Sequence, residues 1–327
     1  MLKVDPPRLG EFLSLLDANP RLSEYCLILE LWLDRFAVRA SGVDLVQSRI
    51  IRRLPRVRKL MLNSAATALR NKDGSVQTVP RSYIGLPLDE TLSAMRAATW
   101  ITALVMTPCY DQYWSHQVFM VFSLHITHLT LSIKEPNTIP LLIGFPECPQ
   151  LRHIELPHPV LNDVAGIFRL VSQSPNLCHF SISHLKVDAA ELQPNITKAP
   201  ISHEPLNSLN LSYVNNAKFL RLLVSFIPTH TLAILFESEN HALDLKNITE
   251  ALFSNPVTKW KLEQLKVLRL ERSGRRVERS TIDERTVALE ALKEYCIRSK
   301  VELDYHFPVS PLCVPLLRGW LIYISGA

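Results

Sequence analysis

The chain has 327 residues, longer than one ordinary compact domain and suited to two domains or to one extended repeat array. Hydrophobic residues make up 47% and charged residues 20%, which excludes a disordered chain too polar to bury a core. The net charge of +5, from 36 basic and 31 acidic residues, is too mild to mark a nucleic-acid-binding protein unless it gathers on one face.

Residues 1–25 read as an N-terminal helical cap. Met1-Leu-Lys-Val-Asp-Pro-Pro lacks the basic and apolar stretches of a secretory signal. The six cysteines, Cys26, Cys109, Cys148, Cys178, Cys296 and Cys313, form no CxxC pair and mostly sit in apolar surroundings. Both features point to a reducing, intracellular compartment, cytoplasmic or nuclear.

From residue 26 one pattern recurs: apolar, two variable residues, apolar, one variable residue, apolar. In chain order its copies are Cys26–Leu31, Val57–Leu62, Ile101–Met106, Ile126–Leu131 and Leu151–Leu156. Leu177–Ile182, Leu206–Leu211, Leu232–Glu237 and Leu265–Leu270 follow, with a last strand at Val301–Tyr305. The copies at 26, 101 and 232 are the weaker ones. Starts at 101, 126, 151, 177, 206 and 232 give spacings of 25, 25, 26, 29 and 26 residues. That lies within the leucine-rich-repeat period of about 20–29 residues. Between copies the apolar residues take helical spacing, as at 164, 167, 168 and 171, where Asn162 or Asp163 could cap. Leu45–Leu54, Ala217–Ile227, Leu245–Phe253 and Glu284–Arg298 read the same way. Pro55, Pro175 and Pro228 stop helices before the next strand.

Strand–helix alternation implies parallel strands with helices outside. The predicted fold is therefore α/β, a leucine-rich-repeat solenoid with irregular repeats: a curved parallel sheet with outer helices over residues 26–307. Insertions are expected at about 64–99 and 107–123, and an apolar tail at 308–327. The tail is shorter than a membrane span and is broken by Pro315, Arg318 and Gly319.

Side chains alternate along a strand, so the third and fifth residues of each copy should face the hollow. The third position carries Ala103, His128, His153, His179, Ser208 and Ile234. The fifth carries Val105, Thr130, Glu155, Ser181, Asn210 and Phe236, with Ser132, Pro157, Ser183, Ser212 and Ser238 just beyond. Three histidines at one position should stack about 4.8 Å apart. They read as a docking strip for a protein partner, able to respond to pH near neutrality, or equally as an exposed polar ladder without a dedicated role. A metal site would need further ligands to converge, and only Glu155 lies near. The expected partner-binding set is His128, Thr130, His153, Glu155, His179, Ser181, Ser208 and Asn210.

No phosphate loop, nucleophile elbow, HExxH or EF-hand sequence occurs, and no cofactor is expected. Cys109, Asp111 and His116 lie close together beside Tyr110, Tyr113 and Trp114, but closeness in sequence is weak support for a catalytic pair. The reading is of a protein that is not an enzyme. The basic run Arg49–Lys59 reads as a solvated helix end and loop, so no nucleic-acid partner is expected. Asn195-Ile-Thr197 and Asn247-Ile-Thr249 match the glycosylation pattern, and without a signal sequence are taken as chance.

Phe12-Leu-Ser-Leu-Leu-Asp-Ala-Asn-Pro-Arg-Leu, then Cys-Pro-Gln-Leu-Arg-His-Ile-Glu-Leu at 148–156 and Ser-Pro-Asn-Leu-Cys-His-Phe-Ser-Ile at 174–182, start strands through a Pro-x-Leu step. Over roughly residues 10–305 this layout resembles the F-box/leucine-rich-repeat proteins abundant in basidiomycete fungi. The resemblance implies a solenoid that selects substrates for a ubiquitin ligase. It also implies an F-box docking on a Skp-type adaptor, yet no such module is evident before Asn19-Pro20. The expectation is either a chain missing that module or a repeat-only relative without a ligase role.

Overall fold

The computed structural model describes residues 2–4, 8–33, 43–64, 69–70, 76–77, 89–106, 112–132, 145–157, 160–161, 165–183, 186–187, 204–212, 220, 223–224, 227–236, 241–253, 263–272 and 281–306. Eleven strands form one sheet: β1 Leu2–Val4, β2 Ile28–Leu33, β3 Lys59–Ser64, β4 Ala103–Met106, β5 His128–Leu131, β6 His153–Pro157, β7 His179–Ser183, β8 Leu206–Ser212, β9 Thr229–Phe236, β10 Val267–Arg272 and β11 Glu302–His306. Every pairing in it is parallel, and the strands lie side by side in chain order. A doubly wound sheet reverses its order at a switch point, and this one does not. A closed barrel would pair its first and last strands, and β1 and β11 end the sheet unpaired with each other. An open parallel sheet in chain order is the arrangement of stacked coils, compatible with a solenoid.

The described helices are α1 Leu9–Ala18, α2 Val43–Arg53, α3 Asp89–Ala97, α4 Gln112–Phe122, α5 Ala165–Ser172, α6 His241–Phe253 and α7 Ile282–Arg298. They lie between strands, and α1 to α4 touch in chain order, as do α6 and α7. Of the Ala217–Ile227 segment, Leu220, Leu223 and Val224 are helical and, like Ile227, buried. Outside the copy at 232, the fourth and sixth residues of the copies are buried, from Leu29 and Leu31 through Phe180 and Ile182 to Leu268 and Leu270. They share one apolar cluster with helix residues such as Ile50, Ile51, Phe119, Phe122, Ile167 and Leu252. Full burial of such a side chain is worth about 1.5–3 kcal/mol. Each coil thus contributes little alone, and stacking makes the core.

One local device repeats. The amide of the first residue of a copy donates to the carbonyl three residues earlier: Val57 to Leu54, Ile101 to Ala98, Leu151 to Cys148 and Leu177 to Ser174, at 3.0–3.2 Å. In three of these turns the second residue is Pro55, Pro149 or Pro175, whose fixed φ suits that place. The second residue of each copy then links neighbouring coils. Arg58 donates to Leu27, Thr102 to Arg58, Thr127 to Thr102, Arg152 to Thr127 and Cys178 to Arg152, at 2.8–3.0 Å.

The structure departs from the sequence reading in four places. Copy 232–237 is framed three residues too late: Leu232 pairs with Leu209 and Ile234 with Leu211. Because side chains alternate, an odd slip exchanges faces. Ile234 is therefore core, 3% exposed, and Thr231 and Ala233 take the open positions. Phe236 ends the strand in register with Arg272, and its side chain, like Ser238, lies outside the described residues. The segment from 107 carries a coil helix, α4, whose Val118, Phe119 and Phe122 are core. The 64–99 stretch likewise holds α3, along with a short antiparallel pair of Leu69–Arg70 with Val76–Gln77. Within residues 1–25, α1 and a 3-10 turn at Pro20–Tyr25 are preceded by β1, which extends the sheet beyond Cys26. The tail 308–327 lies outside the described residues.

Candidate functional site

With one sheet face covered by helices, the third and fifth positions form the other, open face. Its centre brings together all eight residues expected there. His128, His153, His179 and Ser208 lie in one register row across β5 to β8. Thr130, Glu155, Ser181 and Asn210 lie in the row beside it. All eight are exposed or half-buried, while Leu129, Ile154, Phe180 and Leu209 between them are buried.

The histidine rings stack. His128 and His153 have centroids 4.3 Å apart and planes inclined by 4°, and His153 and His179 are 4.5 Å apart at 17°. The ends of the stack are anchored. His128 Nδ1 lies 2.8 Å from Thr127 Oγ1, whose hydroxyl donates to the Thr102 carbonyl at 3.2 Å. That hydroxyl has one proton, so both bonds coexist only when His128 carries its proton on Nδ1. At the other end His179 Nδ1 lies 2.7 Å from Ser208 Oγ. The middle ring differs: His153 Nδ1 is enclosed and has no hydrogen-bond partner. Burial, then the imidazoles on either side, push the His153 pKa below its ordinary 6.5; Glu155 pulls the other way. In the neighbouring row the Thr130 hydroxyl donates to Glu155 Oε2 at 3.2 Å.

Parallel stacked rings point their nitrogens side by side and not toward one point. Among the described residues no three His, Cys, Asp or Glu side chains converge as a metal ion would require. Cys109 and Asp111 lie outside the described residues, and His116 sits on α4, half-buried. Cys26, Cys148, Cys178 and Cys296 are free thiols. Four arginines of the basic run engage neighbouring coils: Arg49 and Arg53 pair with Asp17, Arg52 with Glu90, and Arg58 donates to the Trp100 carbonyl. Asn247 lies within α6.

Sequence reading missed three contributors. Thr127 anchors the stack from the second position, which the alternation rule assigns to neither open-face row. Arg152, also at a second position, stands exposed beside His153. Farther along, Arg269 and Asp304 form an ion pair at 2.8 Å across β10 and β11, a match visible only once the register is known.

What the fold defines is a class: an α/β protein with an open, all-parallel sheet of successive coils, compatible with a solenoid. No protein-family model matches the chain, and no curated protein matches it. Among the described residues no helix is long and apolar enough to cross a membrane.

Proposed function

We propose that the chain is a leucine-rich-repeat solenoid acting as a non-enzymatic recognition scaffold, with the open face of its sheet holding a protein partner. The observation that carries this reading is the two-row cluster from His128 to Asn210. Its residues are aligned across four strands, on the face the core does not use. Folding places no demand for three histidines and a glutamate there. Small polar and aromatic groups on a rigid sheet are suited to hydrogen-bonded contact without large ordering costs.

On the resemblance to F-box/leucine-rich-repeat proteins, the finer reading is substrate recognition for a ubiquitin ligase. Co-purification with a Skp-type adaptor tests it, and a chain that never recovers the adaptor acts as a repeat-only scaffold.

The recognition reading is tested by site-specific photo-crosslinking in cell extract. A photoreactive residue at Ser181 or Asn210 should form a protein adduct that His128→Asn, His153→Asn and His179→Asn together abolish. The same residue at Leu243 or Lys293, exposed on the helices, should not form it. Adducts from the helix sites alone would overturn the reading.

A further inference from the structure

The open face is not electrically uniform. On β3 to β7 and the residues leading into them, Arg58, Lys59 and Arg152 accompany the three stacked histidines, and Glu155 is the one carboxylate among the described open-face positions. On β10 and β11 the balance reverses, with Glu271, Glu302 and Asp304 beside Lys266 and Arg269. The last arginine is already paired with Asp304. Glu30 on β2 lies beside the Lys59 strand, and around the stack itself Arg152 and Glu155 offset each other, so charge added to the three rings would make that part of the face net positive.

The stack also leaves ring nitrogens open. Its outer rings are held through Nδ1, by Thr127 and Ser208, leaving their Nε2 atoms for other partners. Two added protons would sit on rings 4.3 to 4.5 Å apart, where like charges repel. The groups facing the middle ring are His128 from β5, His179 from β7, Glu155 on its own strand and Arg152 beside it. Of these only Glu155 favours a charged ring, and it is partly engaged by Thr130. An external anion is what would let the stack hold more protons.

We propose that the stacked His128, His153 and His179, with Arg152 beside the middle ring, form a proton-coupled docking site for an acidic segment of a protein partner, whose carboxylates run across the strands. This rests on the recognition reading above and adds its chemistry. Opposite charges within about 4–6 Å move a pKa by about one to three units, and each unit is a factor of about ten in affinity. Binding then takes up protons and strengthens as the pH falls from 7.5 to 6.0. Glutamates on the partner, with an ordinary pKa of about 4.3, stay ionised over that range.

The probe is a fluorescent peptide of four glutamates spaced by serines, titrated with the full chain by anisotropy at pH 7.5 and 6.0. The expected result is binding on the order of tenfold tighter at pH 6.0, with no binding by the glutamine counterpart. His128→Asn, His153→Asn and His179→Asn together should remove the pH gain while circular dichroism stays unchanged. Ser181→Glu, at a half-exposed site, should compete the peptide away without touching a histidine. Equal binding of the glutamine peptide would overturn the proposal. So would an unchanged pH gain in the triple variant, or stronger binding of a single-stranded oligonucleotide of matched charge. Crosslinks from Ser181 to a protein with no glutamate-peptide binding would sink the acidic-segment chemistry and leave the recognition reading standing. Absence of crosslinks would sink the recognition reading itself.

Discussion

Two adjacent residues on β9 test the register directly. Ile234 is 3% exposed and pairs with Leu211, whereas Leu235 points to the opposite side and is half-buried. A sequence frame starting at Leu232 assigns them the other way round. Ile234→Ala removes three buried carbons from the core between β8 and β10, a change that costs about 2–5 kcal/mol at sites that cannot collapse. Leu235→Ala removes as many carbons from a face already open to water and should cost about 1 kcal/mol or less. Urea unfolding followed by tryptophan fluorescence reads the difference. With a slope of about 1–3 kcal/mol per molar, a loss of 3 kcal/mol moves the midpoint by about 1 M or more. The slope itself should not change, since neither variant alters the surface exposed on unfolding. Equal shifts, or a larger shift for Leu235→Ala, would refute the register and the assignment of Thr231 and Ala233 to the open face.

Three further outcomes follow from single features. Asp44 on α2 accepts from the Glu90 and Thr91 amides at 3.0 and 2.8 Å, capping α3 from the neighbouring coil, and also engages the buried Thr91 hydroxyl. Asp44→Ala should therefore lower stability by about 1–3 kcal/mol in the same urea assay, and Asp44→Asn by less. His153 has a pKa held below its ordinary 6.5, so the unfolded chain takes up a proton that the folded chain resists. Its contribution is present above pH 6.5 and is lost as the pH falls toward the lower folded value. Thermal melts at pH 7.5 and 5.5 should then show a smaller acid loss in His153→Asn than in the parent chain. Burial pushes the Cys148 thiol up to about 12 and the Cys296 thiol up to about 11. Brief alkylation at pH 8, read by mass spectrometry, should leave both unmodified and label the half-exposed Cys178 first among the described cysteines.

Much of the fold was legible because one rule recurs. A residue triplet spaced as first, fourth and sixth needs no partner to be recognised, and its copies from Val57 to Leu211 place the strands, core rows and open rows correctly. The proline step before several strands was legible for the same reason, since Pro55, Pro149 and Pro175 act through local backbone geometry. The eight-residue open-face set followed from alternation alone.

Where two frames fit one apolar run, local pattern loses its power. Thr229-His-Thr-Leu-Ala-Ile-Leu-Phe offers both Leu232 and Leu235 as the inward leucine, and Thr229 hides the true first position behind a polar residue. That threonine is buried with its hydroxyl between the Thr231 carbonyl at 3.0 Å and, at 3.3 Å, the Leu206 carbonyl of the previous coil, 23 residues away. Pairing with β8 decides the frame, and pairing is a tertiary fact. The same holds for α4, whose aromatic sequence looks like an insertion until Phe119 finds Phe145, 5.2 Å away edge to face. It holds for Asp44, whose cap belongs to another helix. By itself the sequence determined which residues repeat, and so which could stack. Only the tertiary structure set the three rings face to face within 4.5 Å and left the enclosed Nδ1 of the middle one without a partner. The reason is range: a strand's own alternation spans two residues, whereas each rung of this sheet joins residues some 23 to 44 apart.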